Sequence, residues 1–402
     1  MVSQRKPLTI VDQDDDAGAI EPDREARLST CGALADFWYV ACLSSELGTN
    51  KPVARTILDT SLALYRDAAG TPRAVVDRCL HRGAALSAGV VIDGILCCPY
   101  HGWSYGPDGA CVHIPSLGPG QRGGTLDDVE HDKAGLHVSP ADVGCLRTFA
   151  TQEQDGLVYV FPGADVNAAR RAPFRVPYVN DPAWHHYFMV TPFDNGVTNL
   201  VENFMDVPHT VFVHQGWFRE PKQQRVPATV ARGADGSVVV TYRQEADRIS
   251  GLGFILNPRN EPMVHTDAYY VPNVTRVDYH FGKSSGFVIN SQCTPIGPTS
   301  SLVYTAISYK LPVGPLSKPA ARVLEPLIRW YTRQVIAQDT NIMRIQRRGL
   351  EQGQRAAPGP IIFASTEADL LHKDIELWRR WLVNGAVGTP PEPSTRAIEF
   401  WI

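Results

Sequence analysis

Residues 199–217 read NLVENFMDVPHTVFVHQGW and place ionisable side chains in a segment that is otherwise rich in apolar and aromatic residues. Because buried polar groups need partners, two imidazoles beside a carboxylate are most easily satisfied together by a metal ion. On a helix, at about 100° per residue, Asp206 and His209 would share a face, whereas His209 and His214 would point roughly 140° apart. Pro208 should therefore kink or break the helix just before His209, so that both imidazoles can converge on one ion. The alternative is a core helix whose histidines are satisfied by ordinary hydrogen bonds.

Length and composition narrow the class of protein. At 402 residues the chain is long for a single core, so two domains are expected. The formal net charge of −4 and the lack of a basic run argue against nucleic-acid binding. No apolar stretch approaches the roughly 20 residues that a membrane span needs, and no signal-peptide core is seen, so we expect a cytoplasmic protein. The 8 dispersed cysteines predict reduced thiols or metal ligands rather than a disulfide framework.

Residues 36–165 follow a polar tail, residues 1–35, and consist of short β-rich segments between Gly and Pro turns, which predicts an antiparallel β domain. The CLH sequence at 79–81 and the CPYH sequence at 98–101 each follow an apolar strand. Two loops that each carry one cysteine and one histidine are the ligand set of a [2Fe–2S] cluster, with two cysteines on one iron and two histidines on the other. A structural Cys₂His₂ zinc site is the alternative, although zinc loops usually pair cysteine with cysteine and histidine with histidine.

Residues 170–388 contain longer β segments with helices before and after them, which predicts a curved antiparallel sheet, and residues 389–402 are expected to be a Pro-rich tail. The segment 251–267 is interpreted as an apolar loop over a pocket. Apolar residues in this part of the chain would make that pocket hydrophobic, with ordinary core packing as the alternative for each of them. The candidate wall residues are Val197, Val201, Phe204, Leu252, Phe254, Ile255, Phe287, Ile289 and Tyr304.

The helix predicted at about 320–349 carries an apolar stripe with spacings of three and four residues. Asp339 occupies a position on this stripe where a leucine would be expected. A buried ionised carboxylate is costly unless it is paired or bound to a metal. Ligation together with the upstream histidine pair would satisfy it, and a salt bridge to Arg333 or Arg344 is the alternative.

Four segments carry a resemblance to a known family. CLHRGAALSAG at 79–89, CCPYHGWSY at 97–105 and GACVHIPS at 109–116 resemble the Rieske domain of the Rieske non-haem iron oxygenases. NLVENFMDVPHTVFVH at 199–214 resembles that family's Asp-x₂-His-x₄-His mononuclear iron motif. The resemblance implies an α+β protein, in which an antiparallel β Rieske domain precedes a helix-grip catalytic domain. Against the family pattern, residues 117–141 are read as a surface insertion, in which His131 and His137 would be solvated.

The resemblance also implies roles for individual residues. Asp206 would link His101 of one chain to His209 of its neighbour in a head-to-tail homotrimer, fixing the imidazole tautomer. Asn203 would lie near the iron, and its spacing to the iron motif resembles that of O- and N-demethylating or heteroatom-oxidising monooxygenases. The cluster ligands would be Cys79, His81, Cys98 and His101, and the ligands of the mononuclear Fe(II) would be His209, His214 and Asp339.

The function implied is oxygenation of a hydrophobic small organic molecule, by hydroxylation, demethylation or a related oxidation. O₂ would be the co-substrate, and NAD(P)H would supply electrons through a separate ferredoxin, flavin reductase or both. One alternative within enzymes is a desaturase or oxidative cyclase of natural-product biosynthesis. An alternative of another class is a non-catalytic Rieske electron carrier or a zinc-stabilised binding module.

Overall fold

The computed structural model describes residues 19–20, 32–117, 144–217, 225–242, 252–357, 361–364, 366, 368–369 and 371–401. These residues form two compact units. The N-terminal unit comprises 32–175 with 294–297, and the C-terminal unit comprises the described residues of 176–293 and 298–401 together with 19–20. Within these ranges, no helix combines the length and the hydropathy that a membrane crossing requires.

Strands dominate both units, and five helices are described. The helices are α1 Gly32–Ala35, α2 Val197–Phe204, α3 Gly253–Leu256, α4 Ser317–Ala356 and α5 His372–Val383. The strands are β1 Ala19–Ile20, β2 Tyr39–Leu43, β3 Val53–Ile57, β4 Thr60–Arg66, β5 Pro72–Val76, β6 Val90–Ile92, β7 Ile95–Cys97, β8 Ser104–Tyr105, β9 Cys111–His113, β10 Thr148–Gln154, β11 Leu157–Phe161, β12 His185–Phe193, β13 Arg225–Arg232, β14 Ser237–Tyr242, β15 Met263–Tyr270, β16 Val274–Phe281, β17 Ser285–Gly297, β18 Ser300–Lys310, β19 Ile361–Ile362 and β20 Ser394–Trp401.

The N-terminal unit is built from two antiparallel sheets, with strand orders β2-β11-β10-β5-β4-β3 and β6-β7-β8-β9. Along β4, residues 62–65 are buried as a continuous apolar run, the pattern of a strand that is covered on both faces. A cluster of buried side chains lies among these strands and reaches the two Cys–His loops, which follow β5 and β7. Its members include Tyr65, Cys79, Leu86, Leu96, Cys98, Trp103, Tyr105, Cys111 and Ile114.

The C-terminal unit is organised around an eight-stranded antiparallel sheet with the order β12-β18-β17-β16-β15-β14-β13-β20. The 40-residue helix α4 packs on β12 and β18 through a buried face that includes Ile328, Tyr331 and Asp339. This face and the sheet enclose an apolar cluster to which Tyr187, Phe287 and Ile307 also belong. The arrangement confirms the predicted α+β class, in which a long helix covers an antiparallel sheet.

The predicted C-terminal tail is wrong over most of its length. Residues 394–401 form β20, which pairs with β13 from Ser394↔Arg232 to Trp401↔Arg225. Phe400 is 4% exposed, so the strand also contributes to the core. The Pro-rich composition before Ser394 hid the alternating pattern that follows it, and edge pairing depends on backbone groups that composition does not report.

Other boundaries also differ from those expected. Leu34 of α1 is fully buried, so the N-terminal unit begins before residue 36. The segment 251–267 is not a loop throughout, because β15 starts at Met263. Most of the predicted N-terminal tail, and residues 118–141 of the predicted insertion with His131 and His137, lie outside the described residues.

Candidate metal centres and substrate cavity

The two Cys–His loops are built alike. Gly83 N donates a hydrogen bond to Cys79 O at 3.0 Å, and Gly102 N donates to Cys98 O at 3.2 Å. Both glycines have φ of +73°, in the left-handed region that other residues rarely adopt. At Gly102 a Cβ would also meet Pro115 Cγ at 2.9 Å. The glycine four residues after each cysteine therefore allows each turn to close tightly.

The cysteine and histidine side chains of these loops are brought together as the ligand pattern predicts. The ring centroids of His81 and His101 are 4.6 Å apart. Cys79 and Cys98 are buried, their thiols lie within hydrogen-bond reach of each other, and Tyr105 Oη is 3.1 Å from Cys79 Sγ. Burial, reinforced by the charge of His101, lowers the pKa of His81, so its imidazole is neutral and ready to bind a metal.

A buried atom that has no hydrogen-bond partner among the described residues tests whether these loops fit a cluster. His81 Nδ1 is buried and has no hydrogen-bond partner among the described residues. Burying a polar nitrogen without a partner is costly, and coordination to iron removes that cost. Backbone N–H groups of Tyr100 and His101 point at Cys98 Sγ, as a thiolate ligand requires. The donor set therefore fits a [2Fe–2S] cluster held by two thiolates and two imidazoles.

A second site lies in the C-terminal unit, where His209, His214 and Asp339 converge. His209 Nε2 is 3.3 Å from His214 Nε2, and Asp339 Oδ1 is 3.5 Å and 3.2 Å from those two nitrogens. Ligand atoms at right angles on an ion, each about 2.1 Å from it, would lie roughly 3 Å apart. The three atoms are thus spaced like one face of a coordination shell, and they form the group of potential metal ligands found among the described residues.

Local sequence explains how two histidines five residues apart meet. The helix α2 ends at Phe204, and a short 3₁₀ turn starts at Pro208 and runs to Val211. The predicted break before His209 is therefore confirmed. The assumed helical face shared by Asp206 and His209 is wrong, because Asp206 lies beyond the end of α2. The Asp206 side chain still approaches His209, with Oδ2 3.8 Å from Nδ1.

Hydrogen bonds fix the tautomer of both imidazoles. His214 Nδ1 donates to Gln338 Oε1 at 2.8 Å, and His209 Nδ1 contacts the backbone carbonyl of Asp206. With Nδ1 protonated, each Nε2 keeps its lone pair directed at the shared point. Asn203 Nδ2 donates to Asp339 Oδ1 at 3.3 Å and so orients the carboxylate.

Electrostatics keep Asp339 ionised despite its position in the core. Burial alone would raise the pKa of Asp339, but its interactions with the adjacent His209 and His214 outweigh burial and hold that pKa at about 2. Arg344, one of the alternative partners considered for Asp339, instead lies 3.8 Å from Asp194. Burial raises the pKa of Asp206 to about 6, against the attraction of His209. The three predicted ligands therefore form a charged, buried site of the type that binds a divalent metal.

A cavity of about 120 Å³ opens beside these three side chains. Four of the predicted wall residues line it: Phe204, Leu252, Phe287 and Ile289. Val197, Val201 and Tyr304 are instead buried in the core, Ile255 packs against the apolar cluster, and Phe254 is 74% exposed. Pattern alone could not separate walls from core, because both are apolar. The remaining apolar walls are Phe193, Val207, Leu256, Val277, Tyr279, Ile307, Tyr331, Val335 and Ile336.

Two polar features of this site were missed from the sequence. Gln338 lies 124 residues from His214 along the chain, and no local signal marks it as that histidine's partner. Asp267 lines the cavity and is 2% exposed. A histidine and an aspartate at alternate positions, His265 and Asp267, on the buried face of a strand were the available signal, but the segment was interpreted as a loop.

Comparison with known proteins identifies a family for a large part of each unit. Residues 37–138 match the Rieske [2Fe-2S] domain family, and residues 194–370 match the family of the vanillate O-demethylase oxygenase C-terminal domain. The oxygenase component of dicamba O-demethylase from Stenotrophomonas maltophilia is 37% identical over 205 residues, which is 50% of this chain and 53% of that protein. The vanillate O-demethylase oxygenase subunit from a Pseudomonas strain is 30% identical over 206 residues, 51% of each chain. The chain thus spans about half the length of these curated relatives.

Solved structures show the same fold. Dicamba monooxygenase bound to 3,6-dichlorosalicylic acid has a TM-score of 0.70 and 24% identity, covering 88% of this chain and 99% of the other. NdmA of Pseudomonas putida CBB5, as a mutant with caffeine, has a TM-score of 0.67 and 20% identity, covering 93% and 98%.

Proposed function

Because the chain joins a Rieske [2Fe–2S] domain to a vanillate O-demethylase-type C-terminal domain, and so belongs to the Rieske non-haem iron oxygenase family, we propose that it is the oxygenase component of an O₂-dependent enzyme. One observation carries the proposal. The triad His209, His214 and Asp339 directs two lone pairs and a carboxylate oxygen at one point beside a mostly apolar cavity. A non-catalytic electron carrier has no need of that second site.

Each centre has its own residues in this proposal. Cys79 and Cys98 would hold one iron of the cluster, and His81 and His101 the other. His209, His214 and Asp339 would hold a mononuclear Fe(II) and leave positions open on its other side. The cluster would supply electrons and the ferrous ion would activate O₂. Asn203 and Gln338 keep the triad oriented, and the apolar walls exclude water around the bound substrate.

We assign Asp206 the role of linking two centres in different subunits. Its side chain is 36% exposed, and its Oδ1 is a buried atom without a hydrogen-bond partner among the described residues. His101 is exposed in the N-terminal unit, beside Tyr100, which is 65% exposed. An imidazole from a second copy of the chain would satisfy the Asp206 carboxylate, which already lies beside His209. This arrangement requires a closed head-to-tail assembly, for which a homotrimer is proposed.

The cavity and the names of the relatives support a proposal for the substrate class. A void of about 150 Å³ lined by apolar side chains holds benzene, and this one is close to that size. Two relatives are named as O-demethylases, of dicamba and of vanillate, and a third is named chloroacetanilide N-alkylformylase. All three names refer to small organic compounds. We therefore propose oxidation of a small hydrophobic, aromatic molecule, by demethylation or hydroxylation. Electrons would come from NAD(P)H through a separate reductase or ferredoxin.

Metal analysis and spectroscopy test the proposal. The protein is purified anaerobically, iron is counted, and EPR spectra are taken before and after dithionite, with and without NO. We expect about one iron beyond the cluster's two, a Rieske signal on reduction, and an NO-responsive ferrous ion that is lost in Asp339→Ala. A Rieske signal without that ferrous ion would indicate that the protein is only an electron carrier. Bound zinc with no iron would reject the proposal. Incubation under ¹⁸O₂ then separates an oxygenase, whose oxidised product carries the label, from a desaturase or cyclase.

A further inference from the structure

A hydrogen-bonded group spans three strands of the C-terminal sheet. Tyr242, His265 and Tyr279 are in register on β14, β15 and β16. Their rings are stacked, with His265 centred 4.3 Å from Tyr242 and 4.4 Å from Tyr279, each at 16°. His265 Nε2 contacts Asp267 Oδ1 at 2.9 Å, and Tyr242 Oη donates to Asp267 Oδ2 at 2.7 Å. Both oxygens of one carboxylate are therefore held in place by a histidine and a tyrosine that cannot rotate.

The carboxylate held in this way faces the cavity. Asp267 and Tyr279 both line it, and Asp267 is 2% exposed. A carboxylate has about four acceptor positions, and the two bonds to His265 and Tyr242 occupy one on each oxygen. The remaining acceptor capacity is available to a donor inside the cavity. The orientation of that acceptor is already set before anything binds.

Hydroxyl groups extend the polar side of the cavity away from Asp267. Thr275 and Ser291 are cross-strand partners on β16 and β17, and Ser291 Oγ lies 3.1 Å from Thr305 Oγ1 on β18. All three line the cavity and are buried. The cavity thus has a polar side on the sheet, whereas most of its other walls are apolar. A bound molecule with one polar edge would be oriented by this contrast.

The charged residues that line the cavity determine which polar group a bound molecule can place against Asp267. Among the described residues that line it, the carboxylates are Asp206, Asp267 and Asp339, and no lysine or arginine accompanies them. A substrate carboxylate placed against Asp267 would find no lysine or arginine among the described lining residues to offset its charge, and like charges in a desolvated site repel strongly. A hydroxyl or N–H group would instead donate to Asp267 in a charge-assisted hydrogen bond.

Resting on the proposed function, we infer that Asp267, held by His265 and Tyr242, is the residue that orients the substrate, and that the substrate offers it a neutral O–H or N–H donor. The substrate class is then a phenol, alcohol, amide or amine with a hydrophobic body. This differs from vanillate, an aromatic carboxylate that names one of the relatives.

Three matched probes test the inference: guaiacol with a free hydroxyl, veratrole with that hydroxyl methylated, and 2-methoxybenzoate with a carboxylate in its place. Their affinities for the iron-loaded protein under argon are measured by titration calorimetry. We expect wild-type protein to bind guaiacol at least tenfold more tightly than either other probe. In Asp267→Asn, the affinity for guaiacol should fall about tenfold and the affinity for veratrole should not change. The affinity for 2-methoxybenzoate should rise, because the negative charge of Asp267 is gone.

The matched control is Asp278→Asn. Asp278, on β16, is a buried carboxylate like Asp267, which is on β15. Asp278 is the cross-strand partner of Thr266 and binds Arg276. Because Thr266 and Asp267 are consecutive on β15, Asp278 lies on the face of the sheet opposite to Asp267. All three affinities should stay as in wild type. Equal weakening of all probes in Asp267→Asn would mean that Asp267 only supports the fold and would overturn the inference. So would tighter binding of 2-methoxybenzoate than of guaiacol by wild type, or no binding of guaiacol.

The same samples separate this inference from the proposed function. If guaiacol binds through Asp267 but the protein lacks the NO-responsive ferrous ion, the donor-selective site stands and the oxygenase proposal fails. If the ferrous ion is present but Asp267→Asn leaves the guaiacol-to-veratrole affinity ratio unchanged, the oxygenase proposal stands and this inference fails.

Discussion

Replacing Gln338 by leucine tests whether the hydrogen bond to His214 controls iron binding. Leucine keeps the approximate size of the side chain but removes the oxygen that lies 2.8 Å from His214 Nδ1. His214 is 3% exposed, so water cannot replace the lost acceptor without opening the site. A buried donor left without a partner costs about 1–3 kcal/mol.

The same free energy is lost from metal binding. When His214 can rotate or adopt the other tautomer, its Nε2 is no longer held toward Asp339. At about 1.4 kcal/mol per tenfold change, the affinity for Fe(II) should fall roughly 10- to 100-fold. The Rieske cluster, which is held in the other unit, should keep its visible absorption and full occupancy.

The assay is competition for Fe(II) between the protein and a ferrous chelator under anaerobic conditions. Gln346→Leu is the matched control, because Gln346 lies on the same helix and accepts a hydrogen bond at 3.0 Å, but from Asn195 rather than from a ligand. We expect Gln346→Leu to bind Fe(II) like wild type, and Gln338→Glu to retain affinity because it keeps an acceptor. An unchanged affinity in Gln338→Leu would refute the reasoning.

Three further predictions concern turnover, packing and pH. Asp206→Asn should keep the iron content and both spectroscopic signals yet lose turnover, because the proposed link between subunits needs a carboxylate; wild-type turnover would contradict that role. Ile328→Ala should lower the free energy of unfolding by about 2–5 kcal/mol, because Ile328 is fully buried on α4; urea denaturation measures this, with exposed Val323→Ala as the near-neutral control. Burial opposes ionisation of Glu325, but hydrogen bonds from Arg329 and His185 outweigh it and lower the pKa of that carboxyl. This stabilisation is present above the unfolded-state pKa of about 4.3 and is lost as pH falls through the lower folded-state pKa. The difference in unfolding free energy between wild type and Glu325→Gln should therefore be about 1 kcal/mol at pH 7 and shrink in acid; a difference that grows below pH 4 would contradict it.

Several features of the centres could be predicted from sequence because they depend on short-range spacing. The two loops that begin at Cys79 and Cys98 each close within a few residues, so their ligands and their glycines can be identified from one segment at a time. The break at Pro208 is equally local, since a proline removes a backbone donor wherever it stands in a helix. Asp339 was identifiable because a carboxylate interrupts an otherwise apolar helical stripe.

Other assignments needed the tertiary structure. β20 was interpreted as a tail because its stability comes from pairing with β13, more than 160 residues earlier, and not from its own composition. The apolar residues of the C-terminal unit could not be sorted into cavity and core, since Val201 and Phe287 look alike in a hydrophobicity pattern. Only the packing of α4 on the sheet determines which of them face a void.

The sequence by itself determined which residue types are available to bind two metal centres and how the chain turns at each of them. Only the tertiary structure decided which partners orient those residues. Gln338 meets His214 across 124 residues, and Asn203 meets Asp339 across 136. Spacing along the chain restricts a side chain through a few neighbouring peptide bonds, whereas a buried hydrogen bond depends on where two distant backbones are brought together by the packing of the whole unit.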